Sequence, residues 1–397
     1  MRGWCFAADR ETLSGIRIRV GEFCFEGVIG LARPDVVAEL AAAPDANVGF
    51  EIRGILPTGT NTLSLEARRP DGNWHAVTSL NVTAPRRWFP RYLSGTSVSE
   101  LMAFQMPTLM QYAPRSLPDE SFPAAKATDR PPPKLSIVTP SFQQARYLPE
   151  TMRSVSNQNA VTCDYVVQDG GSTDGSVEII AQNAKSGRLT TWESVRDNGQ
   201  ADAIVRGFAK TSGNPDDLMA WINSDDFYLP GALAFVVDYF ARHPEVDAIY
   251  GHRILVNEDS REIGRWFLPA HDHEVLRLND FVPQETLFWR RRLWDKVGGI
   301  DPTFKFAMDW DLLLRFQAAG ARIVRVPYFL AYFRIHSAQK TSAAMQTIGQ
   351  PEIDLLRTRA QGRPLQSLEL EKNPALLRYL RQSAWIEFLW KLGIRTR

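Results

Sequence analysis

The first 85 residues alternate between apolar and polar positions in short runs that are separated by turn residues. Every second side chain is apolar in 16–20 and in 62–67, and this period of two is typical of a half-buried β-strand. The sequences 57–59 and 70–72, Pro-Thr-Gly and Pro-Asp-Gly, favour turns. Several such strands in so short a segment predict a small antiparallel β-sandwich at residues 1–85.

The periodic pattern weakens between residues 86 and 133. Apolar residues are frequent enough in 97–112 to predict a short helix, and the segment ends in three consecutive prolines at 131–133. A proline run of this kind favours a stiff, extended spacer. We therefore expect 86–133 to be a partly helical, proline-rich linker between two domains.

From residue 134 onward, short apolar runs alternate with amphipathic helical stretches. The pattern predicts strands at 135–139, 165–167, 190–194, 218–222 and 328–335, and helices at 148–158, 176–185 and 201–210. Strands that alternate with helices predict an α/β domain with a doubly wound parallel sheet. Such sheets bind ligands beyond the carboxyl ends of their strands, and the polar sequences of this chain fall at those ends.

The last segment, 342–397, is expected to form a helical C-terminal extension. Between 376 and 392 apolar side chains recur at helical spacing, with Trp385, Trp390 and several basic residues beside them. A helix of this composition packs on its own domain or on a second subunit. The alternative is that it lies on a membrane surface, near a lipid-linked acceptor.

Charge and cysteine content exclude several classes of protein. The 46 basic and 45 acidic side chains give a formal net charge of +1, so no overall field attracts nucleic acid. The three cysteines form no CxxC pair, which argues against a disulfide framework or a thiolate zinc site. No signal peptide and no apolar run of about 18 residues is evident. We expect a cytoplasmic protein, with peripheral contact at the inner face of the membrane as a variant.

The first candidate motif is 168–175, Gln-Asp-Gly-Gly-Ser-Thr-Asp-Gly, which stands between a predicted strand and a predicted helix. Glycines allow close backbone approach, and the start of a helix offers free N–H groups. The carboxylates could therefore hold the base or ribose of a nucleoside. The alternative is a turn in which Asp174 or Ser176 caps the helix.

The second candidate motif is Asn223-Ser224-Asp225-Asp226, after the apolar run at 218–222. Two adjacent carboxylates repel each other unless a cation lies between them, and oxygen ligands suit Mg²⁺ or Mn²⁺. A metal that bridges a diphosphate would neutralise a leaving group. The alternative is a capped loop in which Asp226 is solvated.

Two further residues are candidates for chemistry. Asp309, in the sequence 307–311 before an apolar helix, could accept a proton from a hydroxyl group. Its alternative role is to cap that helix, which the helix dipole favours. His336 follows the strand predicted at 328–335 and could ligate a metal or contact phosphate, although a lone histidine is more often structural.

Taken in order, these sequences resemble the family 2 glycosyltransferases, which are inverting enzymes with the GT-A fold. The resemblance covers 134–341, about half of the chain, and no single motif within it is specific by itself. The matching sequences are 136–142, 169–175, 197–204, 223–226, 284–285, 309–311 and 334–336.

The resemblance implies an α/β fold with a GT-A type doubly wound mixed sheet at 134–341, and it implies a reaction. The enzyme would transfer a sugar from a nucleotide-diphosphate sugar, by default a UDP-sugar, to an acceptor hydroxyl with inversion. The acceptor would be a glycan or a lipid-linked molecule, and the process would be the biosynthesis of a surface polysaccharide or another glycan.

The resemblance also implies roles for individual residues on the donor side. Thr139 and Pro140 would begin the nucleotide pocket, and Asp169 would contact the base or ribose. Gln200 and Asp202 would lie along the ribose, diphosphate and donor sugar. The amides and hydroxyls of the metal motif, Asn223 and Ser224, would contact the nucleotide sugar.

The metal and the base follow from the same resemblance. Asp225 matches the final acid of the family's DxD-type motif and would be the main ligand of Mn²⁺ or Mg²⁺, with His336 as a distal ligand. Asp309 matches the catalytic base. Two positions depart from the family pattern, because Asn223 and Met308 stand where acidic residues are common.

Two other functions compete with this interpretation. A nucleotidyltransferase also combines a doubly wound sheet with metal-binding carboxylates, but it is expected to carry a basic, glycine-rich loop after the first strand, and 141–144 is not one. A non-catalytic protein that binds carbohydrate or nucleotide sugar on the same scaffold is the second alternative. The presence of Asp169, Asp225 and Asp309 together favours an enzyme.

Overall fold

The computed structural model describes residues 1–5, 13–21, 23–31, 48–52, 59–84, 112, 114–124, 130–158, 161–336 and 345–391. The chain forms two compact units: 1–118 with 255–266 and 334–351, and 119–254 with 267–333 and 352–397. The helix expected at 97–112 lies, except for its last residue, outside the described residues. The domain boundaries at 85, 133 and 341 stay a prediction.

The N-terminal part of the first unit consists of antiparallel strands in two sheets, with the orders β1-β5-β4 and β3-β2-β6-β7. The strands are β1 (Arg2–Trp4), β2 (Gly15–Val20), β3 (Phe23–Glu26), β4 (Val28–Leu31), β5 (Gly49–Glu51), β6 (Gly59–Arg68) and β7 (Trp74–Ala84).

The alternating pattern of the sequence explains why these strands share one core. Ile18 on β2 lies opposite Leu65 on β6, and both side chains are buried in a cluster that also includes Phe50 from the other sheet. On the opposite face of the same strands, Arg17 donates to Glu66 at 2.6 Å. The predicted small all-β region is confirmed.

The second unit is built on a mixed sheet with the order β10-β9-β8-β11-β15-β13-β16-β12. Strands β10, β9, β8 and β11 are parallel to their neighbours, whereas β11 and β13 both pair antiparallel with β15. The strands from β8 onward are β8 (Leu135–Ser141), β9 (Cys163–Asp169), β10 (Thr191–Ser194), β11 (Leu218–Trp221), β12 (Phe227–Tyr228), β13 (Ala248–Val256), β14 (Glu262–Trp266), β15 (Phe288–Arg290) and β16 (Ile323–Arg334).

Helices connect and cover the strands of this sheet. They are α1 (Leu148–Ser156), α2 (Ser176–Lys185), α3 (Gln200–Ala209), α4 (Ala232–Arg242), α5 (His273–Leu276), α6 (Arg291–Val297), α7 (Met308–Ala318), α8 (Gln350–Gln361), α9 (Ser367–Glu371) and α10 (Pro374–Lys391). A short 3₁₀ turn, Gln284–Thr286, precedes β15, and a π-helical turn, Met345–Gly349, precedes α8.

The parallel half of the sheet follows the sequence prediction closely. Every residue of β8 is buried, as expected of a parallel strand that is covered by helices on both faces. The helix predicted at 176–185 has those bounds, and the strand predicted at 328–335 begins earlier, at Ile323. The predicted α/β fold class with a mixed sheet is confirmed.

The C-terminal helix α10 packs partly on its own unit. Leu376, Tyr379 and Leu380 are buried, and the ring of Trp390 lies 5.1 Å from that of Phe267. Trp385, in contrast, is 59% exposed. This packing agrees with the first of the two interpretations of the tail. None of the described helices combines the length and the apolar character that crossing a bilayer requires.

Candidate active site

The motifs singled out in the sequence follow the carboxyl ends of four neighbouring strands. In β10-β9-β8-β11 all strands run in the same direction, so the segments after them meet at one edge of the sheet, where ligands bind in folds of this type. These segments are 142–147 after β8, 170–175 after β9, 195–199 after β10 and 222–226 after β11.

Asp169 ends β9 and organises the loop that follows it. Its buried carboxylate accepts hydrogen bonds from the backbone N–H groups of Gly171 and Ser172 at 3.0 and 2.8 Å. It also accepts from the hydroxyls of Ser172 and Ser194 at 2.6 and 2.7 Å. The carboxylate therefore fixes the loop geometry from beneath, and its predicted contact with the base or ribose stays a prediction.

The two glycines after Asp169 allow the segment after β10 to approach closely. A Cβ atom on Gly170 would lie 2.9 Å from Oδ2 of Asp197. Gly171 has φ of +84°, in the left-handed region that favours glycine, and its Cβ position is 3.5 Å from the backbone N of Arg196. The β9 and β10 loops thus pack directly on each other.

The loop after β8 is joined to the same motif by side-chain hydrogen bonds. The backbone N–H groups of Gln143, Gln144 and Ala145 donate to Ser172, Ser176 and Asp174 at 2.8, 3.1 and 2.8 Å. Asp174 also accepts from the N–H of Ser176 at 3.1 Å, but the N-cap residue of α2 is Gly175 and no side chain makes the capping hydrogen bond, so the alternative in which Asp174 or Ser176 is the cap is wrong. Burial opposes ionisation of Asp174, but hydrogen bonds from Ser176 and Ala145 outweigh it and lower its pKa.

Phe142, at the tip of this loop, is a candidate that the sequence analysis did not single out. Its side chain is 60% exposed, although it directly follows a fully buried strand. An exposed aromatic ring beside polar loops is suited to stack on a planar ligand. The available signal was a large apolar residue placed after the strand end, within the opening motif 136–142.

Thr139 and Pro140 lie within β8, and both are buried. The hydroxyl of Thr139 is 3.1 Å from that of Tyr165 on β9. The Thr139 side chain is therefore buried within the domain and does not lie in the loop that follows β8. Its role in the nucleotide pocket stays a prediction.

Gln200 and Asn223 connect the β10 and β11 segments. Gln200 is the first residue of α3, and its amide nitrogen donates to the side-chain oxygen of Asn223 at 2.6 Å. The amide of Asn223 is in turn 3.5 Å from Asp226. Asn223 of the 223–226 motif is thus hydrogen-bonded to Gln200, a second residue that is predicted to bind the donor.

Asp202, two residues further along α3, holds the preceding loop. Its carboxylate accepts from the backbone N–H of Asn198 at 3.0 Å and from Arg206 at 3.1 Å. The Asn198 hydrogen bond is the main cause that lowers the pKa of Asp202, and Arg206 adds to it. A direct contact of Asp202 with the donor stays a prediction.

The metal motif forms a tight turn in which the two aspartates differ in exposure. Asp226 is 1% exposed, so the alternative that left it solvated is wrong. The hydroxyl of Thr151 donates to the carbonyl oxygens of Ser224 and Asp226 at 3.0 and 2.7 Å and fixes the turn. Asp225 keeps part of its surface accessible, so it is the more exposed carboxylate of the pair.

Asp309 is the second residue of α7 and is partly exposed. The N-cap position of this helix is Ala307, so the alternative that made Asp309 the cap is wrong. The Asp309 carboxylate accepts from the N–H of Trp310 at 2.9 Å, and the indole of Trp310 donates to the carbonyl of Leu276 at 2.8 Å. The helix start is therefore anchored to the α5 region.

Asp280 is a second carboxyl group near Asp309 that the sequence analysis missed. It lies in the segment between α5 and the 3₁₀ turn. Removal from water raises its pKa well above the usual range, and the negative charges of Asp309 and Glu285 raise it further, against the positive charge of Arg253. Its sequence context contains no motif, so only the fold could reveal it.

Glu285 and Arg253 form a buried ion pair beside these acids. Two hydrogen bonds join them, from Nε to Oε1 at 2.6 Å and from the terminal guanidinium nitrogen to Oε2 at 2.5 Å. The two side chains are 4% and 1% exposed. Glu285 is thus committed to Arg253, and the 284–285 match to the family pattern corresponds to a structural pair.

His336 lies two residues after the end of β16 and is buried within the first unit, whereas Asp225 belongs to the second unit. The role of His336 as a metal ligand stays a prediction. Within the described ranges, no group of three or more His, Cys, Asp or Glu side chains is arranged to hold a metal ion.

Comparison with known proteins identifies one family. The family model described as glycosyl transferase family 2 matches residues 136–300, which include the segments after β8, β9, β10 and β11. Asp309 and Glu352, on α7 and α8, lie beyond the matched range.

Individual relatives agree with this match. An uncharacterized glycosyltransferase of Mycobacterium tuberculosis is 30% identical over 187 residues, which cover 46% of this chain and 68% of the relative. A PGL/p-HBAD biosynthesis glycosyltransferase of Mycobacterium bovis is 27% identical over 195 residues, 49% of this chain and 73% of the relative. A crystal structure of S. aureus TarS 1–349 in complex with UDP-GlcNAc matches over 66% of this chain and 93% of the TarS 1–349 chain, at 15% identity and a TM-score of 0.45.

Proposed function

The chain belongs to the family 2 glycosyltransferases, and from this premise we propose that it transfers a sugar from a nucleotide-diphosphate sugar to an acceptor hydroxyl with inversion. The observation that carries the proposal is the meeting of four loops at one edge of the sheet. There the Gln200–Asn223 hydrogen bond of 2.6 Å joins the donor-side helix to the turn that presents Asp225.

The donor nucleotide is proposed to lie across the loops after β8 and β9. Asp169 and the glycines after it shape this surface, and the positive end of the α2 helix dipole favours negative charge. Phe142 would stack on the base. UDP is the default nucleotide, with GDP and dTDP as alternatives that the experiment below separates.

The residues present fit a divalent metal that is completed by the substrate. Mg²⁺ prefers six oxygen ligands and usually keeps waters and substrate phosphates among them. Asp225 would hold the ion, with the remaining ligands from the diphosphate and water. A bound Mn²⁺ or Mg²⁺ would neutralise charge on the departing nucleoside diphosphate. Since one carboxylate binds such an ion weakly, we expect metal binding to depend on the nucleotide.

The proposed reaction is a single displacement at the anomeric carbon. The acceptor hydroxyl attacks that carbon, and its proton passes to the carboxylate of Asp309. The bond from the anomeric carbon to the phosphate oxygen breaks, and its electron pair leaves with the nucleoside diphosphate. Holding donor and acceptor in line supplies much of the rate enhancement in reactions of this type.

The biological setting is proposed from the relatives. One is named for PGL/p-HBAD biosynthesis, and another, of Myxococcus xanthus, is an O-antigen biosynthesis protein of which this chain covers 16%. Both names describe glycan or glycolipid assembly. A glycan or a lipid-linked acceptor in such a process is therefore the proposed second substrate.

Thermal unfolding with UDP, GDP, dTDP and CDP, each with and without Mn²⁺, tests the donor site. We expect one nucleotide to raise the melting temperature, with the larger shift in the presence of metal, because a ligand that binds only the folded state stabilises it. Asp225→Ala should lose the metal-dependent part of the shift. A well-folded protein that responds to none of the four would exclude the nucleotide pocket and favour a protein that binds only carbohydrate.

Phe142→Ala should weaken binding of the nucleotide found in that screen by about 10-fold, since stacking on an aromatic ring contributes roughly 1–3 kcal/mol per base. The exposed position of Phe142 predicts little change in the melting temperature of the free protein. Titration calorimetry measures the affinity, and Phe142→Tyr, which keeps the ring, is the matched control. Equal affinities for the Ala and Tyr variants would remove Phe142 from the base site.

A further inference from the structure

Glu352 contacts the segment that leads into the helix of the proposed base. Glu352 lies near the start of α8, in the C-terminal extension, and its carboxylate accepts hydrogen bonds from three consecutive backbone N–H groups. Oε1 accepts from Lys305 at 2.7 Å, and Oε2 accepts from Phe306 and Ala307 at 2.8 Å each. The three donors immediately precede α7.

This arrangement places a carboxylate acceptor at the start of α7, where the helix has no side-chain cap of its own. The N-cap residue is Ala307, and its side chain makes no capping hydrogen bond. N–H groups at a helix start need an external acceptor, and a negative charge there interacts favourably with the helix dipole. Glu352 supplies acceptor and charge from a residue 45 positions away in sequence.

The same segment also reaches the donor side of the site. Nζ of Lys305 donates to the carbonyl oxygen of Asn198 at 3.1 Å, in the loop that precedes Gln200 on α3. Residues 305–307 therefore connect three features: the Glu352 carboxylate, the loop before Gln200 and the start of the helix that carries Asp309.

Helix α8 holds the neighbouring loop as well. Nε of Arg357 donates to the carbonyl of Leu278 at 2.8 Å, and the side-chain amide of Gln361 donates to that of Arg277 at 3.1 Å. Leu278 lies two residues before Asp280. Helix α8 thus contacts both the segment that leads to Asp280 and the segment 305–307 that leads to Asp309.

We propose that Glu352 is a positioning residue for Asp309. The Glu352 carboxylate fixes the start of α7, so that the proposed base keeps its orientation toward the acceptor hydroxyl. The proposal rests on the proposed function of Asp309. It extends the working site into the C-terminal extension, beyond the segment matched by the family model.

The test compares Glu352→Ala, Glu352→Gln and a control, Glu371→Ala, which removes an exposed carboxylate from α9 of the same extension. Release of nucleoside diphosphate from UDP-, GDP- and dTDP-glucose gives kcat and the donor KM. Misplacement of a catalytic group by about 1 Å can lower a rate about 100-fold. We expect kcat to fall about 10- to 100-fold in Glu352→Ala, with donor KM changed less than about threefold.

The kcat of Glu352→Gln should lie between those of wild type and Glu352→Ala, because the amide oxygen of glutamine can still accept the two hydrogen bonds that Oε2 accepts. Hydrogen exchange of the 305–307 backbone amides supplies a readout that does not depend on activity. Exchange of these amides should be faster in Glu352→Ala than in wild type. The rise in melting temperature on nucleotide binding should persist in that variant. Glu371→Ala should match wild type in each measurement.

The outcomes distinguish a failure of the positioning role of Glu352 from a failure of the proposed role of Asp309. Faster exchange at 305–307 with an unchanged kcat would overturn the positioning role, as would unchanged exchange in Glu352→Ala. A loss of kcat matched by an equal loss of nucleotide binding would also overturn it, since general unfolding would then explain both. Full activity in Asp309→Asn would remove the proposed role of Asp309 as the base, and the positioning role with it, whereas a wild-type protein that releases no nucleoside diphosphate from any donor would contradict the proposed function itself.

Discussion

Asp309→Asn is expected to lower the rate of sugar transfer by about 10²- to 10⁴-fold, the usual contribution of a general base. Asparagine has nearly the same shape as aspartate but cannot accept the proton of the acceptor hydroxyl. The partly exposed position of Asp309 in the first turn of α7 predicts that folding and nucleotide binding survive. Nucleoside diphosphate release and the nucleotide-induced melting shift, measured on the same sample, check both halves of this expectation.

Asp280 is the control that the structure offers for Asp309. It is a neighbouring carboxyl group whose pKa is raised by removal from water and then by Asp309, so it holds its proton to higher pH than an ordinary aspartate and is the poorer base near neutrality. Asp280→Asn should therefore cost much less activity than Asp309→Asn. The reverse order of losses would transfer the role of base to Asp280.

Glu285→Gln is expected to destabilise the second unit by about 3–5 kcal/mol, the usual cost of removing one partner from a buried ion pair. The guanidinium of Arg253 would be left at 4% side-chain exposure without its bidentate acceptor. Urea unfolding followed by tryptophan fluorescence measures the loss. The exposed pair of Arg363 and Glu369, at 2.7 Å with 60% and 41% side-chain exposure, is the matched control, and Glu369→Gln should change stability little.

A double-mutant cycle distinguishes a buried pair from two independent contributions. The combined change of Arg253→Met and Glu285→Leu leaves no unpaired charge from this pair, so it should cost less than the sum of the two single changes. Additive losses would mean that the two side chains are coupled only weakly.

The proposed donor side of the site was predictable because local sequence determines it. Apolar runs of strand length fixed β8, β9 and β11, and the polar motifs follow within a few residues of each strand end, so the topology of a parallel sheet brings them to one edge. The contacts between Gly170 and Asp197 and between Gln200 and Asn223 confirm that the predicted motifs meet. What each side chain does there was less predictable, since the hydrogen bonds of Asp169 depend on Ser194 from the next strand.

The acceptor side was less predictable, because it depends on contacts between segments that are distant in sequence. Asp280 stands in no motif and gains its raised pKa only from the fold that surrounds it with Asp309 and Glu285. The start of α7 was assigned a cap from its own sequence, Asp309, whereas the acceptor comes from Glu352 on another helix. Local pattern predicts that a helix begins near this point, but it does not identify a partner 45 residues away.

The close approach at Gly170 restricts how related sequences can vary. A Cβ atom at this position would lie 2.9 Å from the Asp197 carboxylate, so a larger residue at 170 requires a smaller or withdrawn side chain at 197. The two positions, 27 residues apart in the printed sequence, therefore share one volume. Substitutions at 170 and 197 should therefore occur together in related sequences. A related sequence without glycine at 170 should show a matching change in the loop after β10.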